Sequence, residues 1–137
     1  MKIFIILLLS TIVLLAGPKE DLQKTRNEAQ LLLIKERLKL IAEDTGLKIL
    51  HDNILRTHAN LASALAQHPE LKKQPTLKEP QLSQLKLKLI EEDDDLRDSK
   101  NILIQRHREL ETQMLYNGYI KYLTNKLDAL NARLEKL

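Results

Sequence analysis

QLSQLKLKLIEEDDDLRDSKNILIQRHREL, residues 81–110, decides the fold. Leu82, Leu89, Leu96, Leu103 and Leu110 recur every seven residues, and Leu85 takes the companion seam position of the first heptad. Seven residues are close to two α-helical turns, so these side chains line one stripe of a long helix. The later companion positions, Glu92, Ser99, Arg106 and Gln113, are polar. The stripe is therefore half of a seam, one face of a hairpin or bundle and not a complete zipper.

Working outward, Asn117-Gly118 marks a break, around which the seam shifts register to Tyr116, Ile120, Leu123, Leu127, Leu130, Leu134 and Leu137. On the other side, Pro69, Pro75 and Pro80 punctuate a polar stretch that reads as the main loop, and Thr76 and Glu79 have capping-box spacing for the next helix. Before that loop, Leu47, Leu50, Ile54, Leu61 and Leu65 form an apolar stripe interrupted by polar residues at 57 and 58. Asp44-Thr45-Gly46 is expected to stop or kink the helix, with Gly46 in the left-handed conformation. Leu31, Ile34, Leu38 and Ile41 have 3-4-3 spacing and predict a buried stripe upstream. Pro18-Lys19-Glu20-Asp21 reads as a helix start, with proline tolerated in the first turn and carboxylates at the positive end of the dipole.

The predicted fold class is all-α. Residues 18–67 form one arm with a kink near 46, residues 68–80 the loop, and residues 81–137 a second arm with a break near 117–118. Two arms of similar length predict a long antiparallel helical hairpin or coiled coil, roughly 70 to 85 Å if straight. A compact four-helix bundle is the alternative if Gly46 and Gly118 are true turns.

Residues 1–17 read as an N-terminal hydrophobic signal or anchor helix. Lys2 precedes an apolar run over residues 3–17 interrupted only by Ser10 and Thr11. As a helix the run spans roughly 22 Å, short of a ~30 Å hydrocarbon core. Leu14-Leu15-Ala16-Gly17 resembles the residues preceding the lipidated cysteine of bacterial lipoprotein signal peptides, but Pro18 stands where that cysteine would be. With no thiol there is no thioether to form. The leader thus reads as an uncleaved short anchor, a cleaved secretory signal or a lipoprotein leader altered at Pro18. Each reading expects the remaining chain in a bacterial envelope, on the periplasmic side of the inner membrane or exported after cleavage.

Charged residues make up 30 % of the chain and aromatics 3 %, and there is neither cysteine nor tryptophan. Absent cysteines exclude disulfides, thiolate metal sites and cysteine nucleophiles. The net charge of +3 is spread over interspersed acids and bases. No basic stripe with stacking aromatics points to nucleic acid. Aliphatic repeats supply a helix seam, whereas an enzyme pocket of this size normally draws on several aromatics.

Among polar clusters, residues 91–95 form an acidic collar whose carboxylates fan around the helix. Reflection of a hairpin about Gln74 puts Glu91, Asp94 and Asp95 opposite residues 53–57, with His51 and Arg56 among the nearby bases, a pairing expected to help fix register. His51 and His58 lie two turns apart, too far to share an ion, and His107 with Glu111 is a lone i, i+4 pair. The histidines read as solvated or capping residues, with no metal or cofactor expected. No HExxH, phosphate loop or nucleophile elbow occurs. Tyr116, Tyr119 and Tyr122 gather the aromatics after the leader within two turns, as boundary packing or a spot where a partner docks.

The functional expectation is a nonenzymatic helical interaction or structural protein of the cell envelope, assembling through leucine-rich faces as a homo-oligomer or in a larger complex. It would touch the membrane through residues 3–17 if uncleaved, and use no small-molecule substrate. The alternative is an exported soluble helical protein, chaperone-like or an effector, that binds a client protein.

Overall fold

A computed structural model describes residues 17–137, so the signal or anchor expected over residues 1–17 lies outside the described residues apart from Gly17. Among the described residues the protein is all-helical, without a strand. Six helices follow one another: α1 (Pro18–Glu43), α2 (Thr45–Ala66), the single turn α3 (Pro69–Lys72), α4 (Gln81–Glu92), α5 (Asp94–Met114) and α6 (Gly118–Glu135). None of them is long and apolar enough to cross a membrane.

Short polar side chains set the breaks. Asp44 leaves the helical region (φ −99°, ψ 115°) and its Oδ1 accepts from the Leu47 N–H at 2.9 Å, satisfying a donor that the first turn of α2 leaves open. The left-handed Gly46 expected from the sequence does not occur, since no glycine has positive φ and Gly46 lies inside α2. An N-cap aspartate starts a new helix more directly than a glycine ends the old one. Asn117 does the same for α6, its Oδ1 accepting from the N–H groups of Tyr119 and Ile120, both at 3.0 Å. A further break divides the long 81–114 stretch at Asp93 (φ −93°, ψ 118°), whose Oδ1 accepts from the Asp95 and Leu96 N–H groups at 3.0 and 3.1 Å. Asp94 and Asp95 then sit in the first turn of α5, where the helix dipole favours negative charge. The capping box expected at Thr76 and Glu79 is not what starts α4. Pro80 precedes its first residue without a side-chain cap, and Glu79 accepts instead from the Ser83 hydroxyl.

The chain divides into two compact units. One comprises α1 up to Lys39 together with Leu115–Leu137, and the other comprises Leu40–Met114. In the first, Ala29 and Leu33 of α1 and Ile120, Leu123 and Leu130 of α6 are buried. Arg26 Nε donates to Asn131 Oδ1 at 3.0 Å and ties the two helices together.

In the second unit α2 packs along α5. Thr57 meets Arg106, His58 meets His107 and His68 meets Asp93, so the two helices run in opposite directions. Leu47, Ile54 and Leu65 of α2 and Leu96, Leu103, Leu110 and Met114 of α5 are buried, Met114 at 1 % exposure. Near the chain reversal, Leu65, Leu89, Ile90 and Leu96 form one cluster, against which Leu61, Leu71 and Leu85 pack. The heptad leucines are hidden because α2 supplies aliphatic side chains with matching helical spacing.

Candidate functional site

The most specific cross-helix arrangement lies where both seams of the second unit turn polar. Arg106 interrupts the α5 stripe at a companion position, and Thr57 interrupts the α2 stripe. The structure sets them against each other. Arg106 Nη1 donates to Thr57 Oγ1 at 2.8 Å, while that hydroxyl donates to the Asn53 carbonyl one turn back, also at 2.8 Å. Both side chains are half-buried, so the bond is shielded enough to favour one register over its neighbours. One residue further along each helix, His58 and His107 bring their Nε2 atoms to 3.3 Å, with ring planes 74° apart and centroids at 5.5 Å.

Of the heptad residues, Leu89, Leu96, Leu103 and Leu110 are buried, and Leu82 and Leu85 are half-buried. In α6, Ile120, Leu123 and Leu130 are buried and Leu127 and Leu134 half-buried, whereas Leu137 is exposed. Tyr116 is 85 % exposed, and Tyr119 and Tyr122 are exposed and stacked on each other at 6.4 Å.

Two expectations give way here. The acidic collar does not face His51 and Arg56. Asp93 Oδ2 stands 3.7 Å from His68 Nε2, Asp94 pairs with Arg97 in its own helix, and Arg56 neighbours the Thr57 that bonds Arg106. Arg106 is some eleven residues beyond Asp95, or about 16 Å along α5, so Glu91, Asp94 and Asp95 are out of reach of Arg56, and His51 lies farther still. The reversal falls closer to α4 than to Gln74, because Pro69–Lys72 adds another helical turn that carries Leu71 into the apolar cluster. The second correction concerns α1. Leu31, Ile34 and Leu38, expected to be buried, are 67 %, 46 % and 56 % exposed, and only Ile41 of that stripe is half-buried. The buried side is the one carrying Ala29 and Leu33, with Leu22, Arg26 and Leu40 half-buried.

Leucine spacing gave no hint of the Thr57–Arg106 bond or of the Asp93 cap. The signals were present in the polar interruptions of the two stripes and in an aspartate directly ahead of two further acids. His68 is a capping residue, its Nδ1 accepting from the Glu70 N–H at 3.2 Å. Partial burial lowers the Arg37 guanidinium from its ordinary value, which still leaves it charged at neutral pH. Among the described residues no three His, Cys, Asp or Glu side chains are grouped to hold a metal ion. What the arrangement offers chemically is cross-helix recognition and apolar contact, through imidazoles, a guanidinium and exposed aliphatic and tyrosine side chains. In comparisons with known proteins, no family model, no curated protein and no solved structure matches the chain.

Proposed function

We propose that the chain is a nonenzymatic helical interaction protein of the bacterial envelope, placed there by its leader and assembling through apolar helix faces with copies of itself or a larger complex. The observation that carries this reading is the α1 stripe of Leu31, Ile34 and Leu38, spaced for a helix seam yet standing in solvent. Aliphatic side chains at such spacing bury well only against another helix, each side chain contributing about 1.5 to 3 kcal/mol when fully covered. The seam first expected to stay partly open, over residues 82–110, is not the assembly surface in this reading, because its polar interruption is satisfied within the second unit. The same reading takes that unit as a helical hairpin, α2 returning through residues 67–80 onto α4 and α5.

Sedimentation of the full chain in mild detergent tests the assembly. The wild type is expected to associate, and the combined variant Leu31→Glu, Ile34→Glu, Leu38→Glu to run as a monomer with unchanged helicity. A monomeric wild type, or a variant that assembles equally well, would end the proposal. Fractionation with N-terminal mass analysis separates anchor from export: Met1 retained in membranes supports the anchor, and a soluble form beginning near Lys19 supports the exported client-binding protein.

A further inference from the structure

The facing imidazoles on α2 and α5 have a use beyond helix pairing. Their Nε2 atoms are 3.3 Å apart while the ring centroids are 5.5 Å apart, so each ring presents its Nε2 edge to the other across two helices. Two imidazole nitrogens bound at 2.0 to 2.1 Å to one tetrahedral ion stand about 3.3 to 3.4 Å apart, whereas adjacent positions of a square plane bring them to about 2.9 Å. The observed 3.3 Å fits the tetrahedral value; without an ion the same spacing serves a hydrogen bond between the two imidazoles, which a bound ion would replace. We propose that His58 and His107 form a two-imidazole clip for a tetrahedral divalent ion of zinc's kind.

Little has to move for this. The rings point at each other, and a modest swing of each about its broad χ2 torsion turns both lone pairs onto one point between them. Their positions are already set from behind, because the Arg106–Thr57 bond and the buried Ile54, Leu103 and Leu110 fix how α2 lies on α5. Both histidines are exposed, so an ion reaches the pair from solvent without opening the core. Among the described residues no third His, Cys, Asp or Glu completes the group, so water, or a donor from another molecule, fills the remaining positions. Arg106 and Arg108 flank His107 in sequence and weaken attraction for a cation, which makes this a moderate site and not a folding-obligate one. A bound ion joins residues 58 and 107, distant in sequence, and stabilises the packed helices by mass action as long as it binds the folded chain better than the unfolded one.

Thermal unfolding of the full chain followed by circular dichroism tests the clip. Zinc chloride in excess is expected to raise the midpoint by at least about 3 °C, with reversal by chelator. Magnesium chloride is expected to leave the midpoint unchanged, since magnesium prefers oxygen donors. His58→Gln and His107→Gln each keep the metal-free midpoint within about 2 °C and lose the zinc response, whereas His51→Gln retains it. The proposal is overturned by a wild type indifferent to zinc, by a response surviving in His107→Gln, or by an equal response to magnesium. Imidazole NMR signals of the wild type give a readout that needs no variant: zinc at one equivalent should perturb His58 and His107, and equal perturbation of all four histidines would overturn the assignment.

Discussion

Helix α1 and helix α5 both carry aliphatic side chains at helical spacing and meet opposite fates. Along α5, Leu96, Leu103 and Leu110 are buried to within a few per cent, while Leu31, Ile34 and Leu38 of α1 stand largely in solvent. What separates them is the helix alongside. α2 matches α5 in both senses, with Leu47, Ile54 and Leu65 among its buried residues and Thr57 placed to receive the one guanidinium that interrupts the α5 stripe. In α1 the buried side passes through Ala29 and Leu33 and includes Arg26, whose guanidinium bonds Asn131 of α6, Asn27 and Gln30. A stripe of leucines is thus only an offer of burial. The pattern of polar residues on the facing helix decides whether it is taken.

The sharpest way to break that contrast is to make one chemical change on both helices. Leu103→Ala is expected to destabilise by about 2 to 4 kcal/mol, through lost transfer energy and the cavity left behind. Leu31→Ala, removing the same atoms from solvent, should stay within about 0.5 kcal/mol in dilute protein. Urea denaturation followed by circular dichroism measures both. A large loss for Leu31→Ala that grows with protein concentration would mean that assembly covers the α1 face, and one independent of concentration would mean that the face is covered within the chain.

The α5 stripe was legible in the sequence because Leu96 and Leu110 stand among polar residues and only Leu103 has apolar neighbours, Ile102 and Ile104, so the seven-residue repeat still picks out a single face. In α1, residues 31–34 are Leu-Leu-Leu-Ile, which presents apolar groups all round the helix. Periodicity then cannot choose a side, and Ala29, a small residue in the buried face, carries little weight in such a reading. Register was hidden for another reason. It depends on where the chain reverses, and a turn as short as Pro69–Lys72, starting from a proline inside an apparent loop, moves that point by several residues.

Of intermediate size are two of the aspartate caps. Asp93→Ala should cost about 1 kcal/mol, with a range of roughly 0.5 to 2, since two backbone donors of α5 lose their acceptor. Asp44→Ala, with one such donor at Leu47, should fall at or below that figure. Asp95→Ala, which removes the same charge from the dipole without removing a cap, should cost less than Asp93→Ala. Equal losses for Asp93 and Asp95 would assign the break to charge and not to capping.

The polar layer should show a smaller net effect than its position suggests. In a double-mutant cycle, Thr57→Val and Arg106→Leu are expected to couple by about 0.5 to 1.5 kcal/mol, measured by urea denaturation. The double variant itself should match or exceed the wild type in stability, because two apolar side chains of similar reach replace a bond that had to be desolvated. Its loss would be in register: without the Arg106–Thr57 match, a displaced pairing of α2 on α5 has nothing polar to reject it. Absence of coupling would show that leucine packing alone sets the alignment.

Smallest of all should be the strap across the α4–α5 break. Arg97 pairs with Asp94 through one amine and donates through the other to the Glu91 carbonyl at 3.1 Å, so it spans the point where Asp93 interrupts the helix. All three side chains face water, and an exposed ion pair of this kind contributes about 0.2 to 1 kcal/mol, mostly lost in high salt. Arg97→Ala should therefore cost less than Asp93→Ala at low salt, and the gap between the two should widen as salt is added, since a side-chain cap on backbone donors is short-ranged and screened less. An Arg97→Ala loss that equals the cap's and survives salt would mean that the guanidinium, bonding a carbonyl of α4, holds the bend, and the stripe running from Leu89 to Leu96 would then owe its continuity to that bond.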